Sequence, residues 1–202
     1  MKLFPPHVVS RVLDWIEELQ GADTRILIIV AAQKLDELIT QLLKASMSHQ
    51  GGGNDDLFGH DRPLGTFSSK ILLAWRLGLI DRDFESFLQV LRKLRNDAAH
   101  STEPMDLSKS PHIERIEHLR LLASKAPSWA ITGGDDELAT RDNPAAAVFK
   151  SLLTAIFNCE CALLTVKPLS ASVVCDFHRI GGRVVDDEGE SSSGAAFDVD
   201  PQ

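Results

Sequence analysis

An all-α bundle of five to seven helices, followed by a disordered acidic C-terminal tail, is the fold class this sequence predicts. Three observations carry it. Apolar residues recur at the three- and four-residue spacing of a helix in one segment after another. Most of these segments open on a capping residue or a proline, or close on glycine or proline. No repeat period and no series of alternating strand-like runs interrupts them.

The first helix runs from Val8 to Leu19, with Val8, Val12, Trp15 or Ile16, and Leu19 at helical spacing between Pro5-Pro6 and the stop at Gly21. Asp23 is an N-cap for a second, longer helix through about Ser46, whose apolar positions are Ile28, Ala31, Ala32, Leu35, Leu38, Ile39 and Leu42. Gly51-Gly52-Gly53-Asn54-Asp55-Asp56 reads as a flexible loop. Pro63-Leu64-Gly65 leads into a third helix, from about Thr66 to Leu77, and Gly78 marks its end. Asp81 starts a fourth helix to about Ala99, with Glu85 placing acid on the positive end of the dipole. Ser110-Pro111 supplies a cap and a first-turn proline for a fifth helix over about 111–125, and residues 126–142 are irregular. Asn143-Pro144 begins a sixth through about Val166, and Pro168 ends it. Val173 to Ile180 fits either a short strand or a helix. The expected organisation is one domain over residues 1–169, with 170–202 as an irregular, mostly disordered tail.

A chain of 202 residues with 44% hydrophobic content can bury a single core. The formal charge of −8 is uneven. In the last 21 residues Asp186, Asp187, Glu188, Glu190, Asp198 and Asp200 face only Arg183, a net of −5, which leaves about −3 on the body. A strongly basic nucleic-acid clamp is therefore absent from bulk composition, although a small basic cleft is compatible with it. Cys159, Cys161 and Cys175 form no disulfide framework for this length and read as reduced thiols in a cytoplasmic protein. Residues 1–6 lack a signal peptide's apolar region, and the longest uninterrupted apolar run, Ile26 to Ala32, is far short of a membrane span, so no membrane association is expected.

The fourth helix carries the candidate chemistry. At about 100° per residue, with Phe84 at zero, Phe87, Leu88, Leu91, Leu94 and Ala98 fall within about 80° of it. Arg95 lies at about 20°, inside that stripe, where a guanidinium is costly unless it is paired or the face lines a cleft. Asn96 follows at about 120° and His100 at about 160°. Twelve arginines and seven histidines make an Arg with a His five residues on a chance event about 0.4 times in this chain, and requiring asparagine directly after the arginine lowers that to about 0.01.

Arg95-Asn96-Asp97-Ala98-Ala99-His100 resembles the Arg-x4–6-His motif of the HEPN superfamily, all-α nucleotide-binding domains that include metal-independent endoribonucleases. The resemblance implies a homodimer in which both motifs face one cleft, the histidine acting on the ribose 2′-hydroxyl or the leaving oxygen and the arginine holding the phosphate. A second resemblance spans about residues 22–102. Pro63-Leu64-Gly65-Thr66-Phe67-Ser68-Ser69-Lys70-Ile71, with Leu73-Ala74-Trp75-Arg76-Leu77-Gly78-Leu79-Ile80-Asp81, is similar to the mannitol-operon repressor family. That family's name implies transcriptional regulation. No helix-turn-helix with a basic recognition helix is visible here, so such a regulator would act through protein contacts.

Chemically, an imidazole can give or take a proton near neutral pH, and a guanidinium offers forked donors to phosphate oxygens. Attack by a ribose 2′-hydroxyl needs no metal, no carboxylate cluster suited to one is evident, and no cofactor is implied. Arg95, Asn96 and His100 are the catalytic candidates, and Lys70, Arg76, Arg92 and Lys93 the substrate-binding ones. The competing account pairs Arg95 with Asp36 or Glu37 and has His100 contacting the helix's last carbonyls.

Other features are weaker. Cys159 and Cys161 point about 160° apart on a helix and read as core thiols. His112 and His118 lack zinc-protease spacing and read as a solvated face. Gly51–Gly53 lacks the lysine of a phosphate loop, and Trp75 reads as core or interface rather than a base-stacking platform. The expectation is a metal-independent RNA-cleaving or RNA-binding homodimer of a defence or toxin–antitoxin kind, with RNA and an antitoxin or regulatory protein as partners. The alternative is a non-enzymatic, repressor-like regulator.

Overall fold

The computed structural model describes residues 6–19, 22–47, 57–101, 105–132, 142–169, 173–174 and 183–184. Among these are six α-helices: α1 (Pro6–Leu19), α2 (Thr24–Ser46), α3 (Phe67–Arg76), α4 (Arg82–His100), α5 (His112–Ala123) and α6 (Pro144–Leu163). The fold is all-α.

Local chemistry sets the helix ends. Asp23 caps α2 by accepting from the Arg25 amide, Thr66 caps α3 from Ser69, Asp81 caps α4 from Phe84, and Asn143 caps α6 from Ala146. Gly78 follows α3 at φ +70°, a left-handed conformation that favours glycine. One cap differs from expectation. Pro111, not Ser110, occupies the N-cap of α5, no side chain caps that helix, and it begins only at His112. After α5, Pro127–Ala130 forms a short 3-10 turn within the stretch read as irregular.

The core is built on α2 packed against α6. Helices α4 and α5 close around this pair, α3 packs on α2 and α4, and α1 lies on α6. Every apolar position read on α2 is buried, as are Val8, Val12 and Trp15 of α1. Leu35, Ile39, Leu88, Leu91, Leu119 and Leu152 are fully enclosed, and truncating such a side chain to alanine typically costs about 2–5 kcal/mol. Glu160, buried on α6, is neutralised by Arg11 of α1 at 3.1 Å and Lys34 of α2 at 3.7 Å, which ties three helices together.

By length and composition α6 is long and apolar enough to cross a membrane although polar residues interrupt its apolar runs, and two thirds of its apolar stretch is buried inside the bundle. In the C-terminal segment Val173–Val174 and Arg183–Val184 form a two-residue antiparallel ladder with Val173 opposite Val184. This is the strand alternative for residues 173 and 174. The acidic run from Asp186 lies outside the described residues, as do Gly51–Gly53, Cys175 and Gly21.

Candidate functional site

The site forms where α4 ends. Its helix is started by Asp81, with Asp83 and Glu85 in the first turn, and it stops at Ser101, whose amide donates to the Asp97 carbonyl at 3.0 Å. The last carbonyls of a helix lack internal partners. Here a guanidinium from another helix supplies them: Arg25, in the first turn of α2, donates from Nε to the Ala98 carbonyl at 2.6 Å and from Nη2 to the Ser101 carbonyl at 2.6 Å. These two bonds bracket His100.

Arg95 is half-buried, and its Nη1 donates to Oδ1 of Asn96 over 3.3 Å. The guanidinium thus leans from the apolar stripe toward the polar side of the helix, and the rest of its forked donors stay open. The competing pairing is not found. Asp36 is bonded by Lys70 at 2.7 Å, and Glu37 accepts from Gln33 at 3.4 Å. Among the described residues Arg95 enters no ion pair. His100 is exposed in the last turn, one turn beyond Asn96 on the same face, and the carbonyls it was expected to contact are held by Arg25. Arg95, Asn96 and His100 therefore share the end of one helix.

Asp97 turns the other way. It is paired with Arg115 of α5, and His112 Nε2 lies 3.5 Å from its Oδ2. The other ring nitrogen of His112, Nδ1, sits 3.0 Å from the Asp106 carbonyl oxygen. Bonds from the Ser108 hydroxyl, Lys109 and the Ser108 amide in turn hold the Asp106 carboxyl down at about 2, so the loop before α5 is pinned against α4. His112 is half-buried within this network, a correction to its reading as solvated face, whereas His118 is exposed as expected.

The substrate-binding candidates divide. Lys70 does not reach the open surface: it is buried on α3 and spent on Asp36, with side-chain exposures of 9% and 18%. Arg76 is exposed but stands at the far end of α4, over the ring of half-buried Trp75 at 5.1 Å, the ring that Arg82 also covers at 5.0 Å. Arg92 and exposed Lys93 remain near the motif, Arg92 bonded to Gln89 at 3.1 Å. Asn96 lies four residues beyond Arg92, which places the two on one face.

Sequence reasoning missed Arg25, Asp97, Arg115 and Arg82. Only Asp97, inside the motif, carried a local signal; the other contacts come from separate segments. Cys159 is buried, and burial, reinforced by the charge of Glu160, pushes its thiol up to about 12; burial also raises Cys161. Among the described residues no three His, Cys, Asp or Glu side chains converge as a metal-ligand set. A cleft of about 420 Å³ lined by Leu79, Phe84, Phe87, Leu122, Lys125 and Asn158 opens at the start of α4 and contains none of the predicted site residues.

Compared with family models, curated proteins and solved structures, the chain matches none.

Proposed function

We propose that this chain binds and cleaves RNA without a metal, through Arg95, Asn96 and His100. One observation carries the reading: a half-buried guanidinium with no carboxylate partner among the described residues is leaned by an asparagine toward the face that bears an exposed imidazole. A positive group partly withdrawn from water and left without a counter-ion favours an incoming anion. In this reading Arg95 grips the non-bridging oxygens of a phosphodiester and stabilises the charge that develops on them. His100 moves the proton. The 2′-oxygen loses its proton and bonds to phosphorus, the 5′-oxygen leaves and takes a proton, and the products are a 2′,3′-cyclic phosphate and a 5′-hydroxyl. Each chain supplies one imidazole at this helix end, so a homodimer that pairs the two ends provides both an acid and a base.

Incubating the purified chain with RNA in EDTA tests this. Cleavage leaving 2′,3′-cyclic phosphate ends is expected, reduced about 10²- to 10⁴-fold in His100→Ala, the usual worth of a positioned acid–base group, and strongly reduced in Arg95→Ala. Equal cleavage by wild type and both variants removes the site assignment, as do 5′-phosphate products made only with magnesium.

A further inference from the structure

The charges of α4 are distributed in a way that bears on the shape of its ligand. Each of its three acids is neutralised by a basic group: Asp83 by Lys125 at 2.8 Å, Glu85 by Arg82 at 3.1 Å, and Asp97 by Arg115 with His112 beside it. Arg92, Lys93 and Arg95 remain, and none of them enters an ion pair among the described residues. Elsewhere the basic side chains are largely committed: Arg11 and Lys34 to Glu160, Lys70 to Asp36, Lys109 to Asp106, Arg120 to Glu117, and Arg25 to helix carbonyls. Among the described residues of this chain of net charge −8, Arg92, Lys93 and Arg95 give one helix three cations without an ion pair.

The outer face of this helix is a line. Arg82 and His100 are eighteen residues apart, a whole number of turns at about 100° per residue, so they share a face with a rise of about 27 Å between them. Gln89, Lys93 and Asn96 lie within about 40° of that line, opposite the buried stripe of Leu88, Leu91 and Leu94, with Arg92 at its edge. Glu85 and Asp97 lie about 60° to either side of it; Asp97 is taken by Arg115, and Arg82 engages Glu85 through Nη1 alone, leaving other donors of that guanidinium open. At the α3–α4 corner Arg76, which enters no ion pair among the described residues, lies with Arg82 over Trp75, so the indole holds both guanidinium groups in place.

Resting on the RNA reading above, we propose that the ligand is a single strand of RNA lying lengthwise along the outer face of α4. The Arg76–Trp75–Arg82 corner anchors phosphates at one end, Lys93 and, from the edge, Arg92 contact the backbone between, and the scissile phosphodiester sits at His100, where the Arg95 guanidinium reaches it from the side past Asn96. Arg82, Lys93 and His100 on a face one helix wide, with Arg92 at its edge, match one backbone; a duplex is read across grooves and presents two. The corner is a binding site about five helical turns from the chemistry, so it serves long strands and not short ones.

Fluorescence anisotropy with 2′-O-methyl oligouridylates, which bind but lack the nucleophile, isolates this binding from cleavage. The full-length wild-type chain is expected to bind a strand of about 12 nucleotides more tightly than one of about 4, and more tightly than a duplex of the longer length. Arg76→Gln has no ion pair to lose and is expected to weaken the longer strand several-fold while reducing the slope of log affinity against log salt by about 0.7. Arg76→Gln/Arg82→Gln reduces the slope by about 1.4, and both variants weaken the longer strand by a larger factor than the short one. Unchanged affinity and slope in Arg76→Gln overturn the proposal, as does preference for the duplex or no wild-type binding. A chain that shows the length dependence yet leaves ribo-oligonucleotides intact keeps the path and loses the nuclease reading. Cleavage that depends on His100 but ignores the corner does the reverse.

Discussion

The guanidinium of Arg25 donates to the carbonyl oxygen of Ala98 at 2.6 Å, and through its second arm to Ser101, so the first turn of α2 completes the last turn of α4. A hydrogen bond involving a charged group is worth about 1.5–3 kcal/mol, and removing this donor also strands two carbonyls. Arg25→Ala is expected to lower stability by about 2 kcal/mol in urea melts and to raise amide exchange at Ser101. Arg25→Lys recovers part of the loss, because an ammonium presents a point charge where the fork reached two acceptors. Unaltered stability and exchange in Arg25→Ala would show that the clamp carries nothing.

Lys70 and Asp36 separate a structural cation from the binding ones. Their side chains are mostly buried, and a carboxylate left there alone costs about 3 kcal/mol. Lys70→Ala is therefore expected to destabilise the fold by about 2–4 kcal/mol, whereas Lys70→Met/Asp36→Leu restores most of it by removing both charges. Arg92→Gln, which breaks no ion pair, shifts stability by no more than about 0.5 kcal/mol but weakens RNA binding. Denaturation paired with an RNA titration decides. Intact stability with reduced RNA affinity in Lys70→Ala would return Lys70 to the binding surface.

The contrast between these two residues also marks what the chain discloses before it folds. Helix order, the caps at Asp23, Asp81 and Asn143, and the buried stripe of α2 follow from periodicity and local hydrogen bonding, which act within a few residues. The choice of partner for Asp36 does not. Lys70 and Arg95 are both cations with aliphatic stems long enough to be candidates, and only the packing of α3 on α2 selects Lys70. Arg25 reaches α4 across 73 positions, with no pattern in either segment to announce it. His112 looked like a surface histidine because helical spacing says nothing of the loop that folds Asp106 over it. The motif itself was legible. Arg92 and Lys93 were legible beside it as basic candidates, but that each acid of α4 is taken up by a base was not, since two of those partners, Lys125 and Arg115, come from packing.

Two glycines differ in why alanine is refused. At Gly78 φ is +70° and a Cβ would meet nothing within 4 Å, so Gly78→Ala pays only the left-handed backbone penalty, about 1 kcal/mol. At Gly65 a Cβ would lie 2.4 Å from the Gly59 carbonyl oxygen and 2.5 Å from that of His60, backbone atoms that cannot step aside without moving the loop. Gly65→Ala is expected to cost more than Gly78→Ala and to disturb the start of α3. Thermal melts of the two variants give the order directly; a milder effect at Gly65 would contradict the close approach.

Cys159 makes stability depend on alkaline pH. Burial, then the neighbouring charge of Glu160, raises its thiol from 9.0 to about 12 in the folded chain, while the unfolded chain releases that proton at the ordinary value. The native state therefore holds more protons than the unfolded state between these values. The stabilisation is complete below pH 9.0 and is lost as pH rises toward 12, at up to about 1.4 kcal/mol per pH unit from this one group. Urea midpoints measured from pH 8 upward should fall more steeply for the wild type than for Cys159→Ala, by about that slope. Iodoacetamide at pH 8 should leave Cys159 unmodified in the native protein and label it in denaturant, because the thiolate is the nucleophile and burial suppresses it. Native-state labelling at the rate of a free thiol, or equal alkaline slopes in wild type and Cys159→Ala, would mean that this thiol is not sealed in the core between α6 and its neighbours.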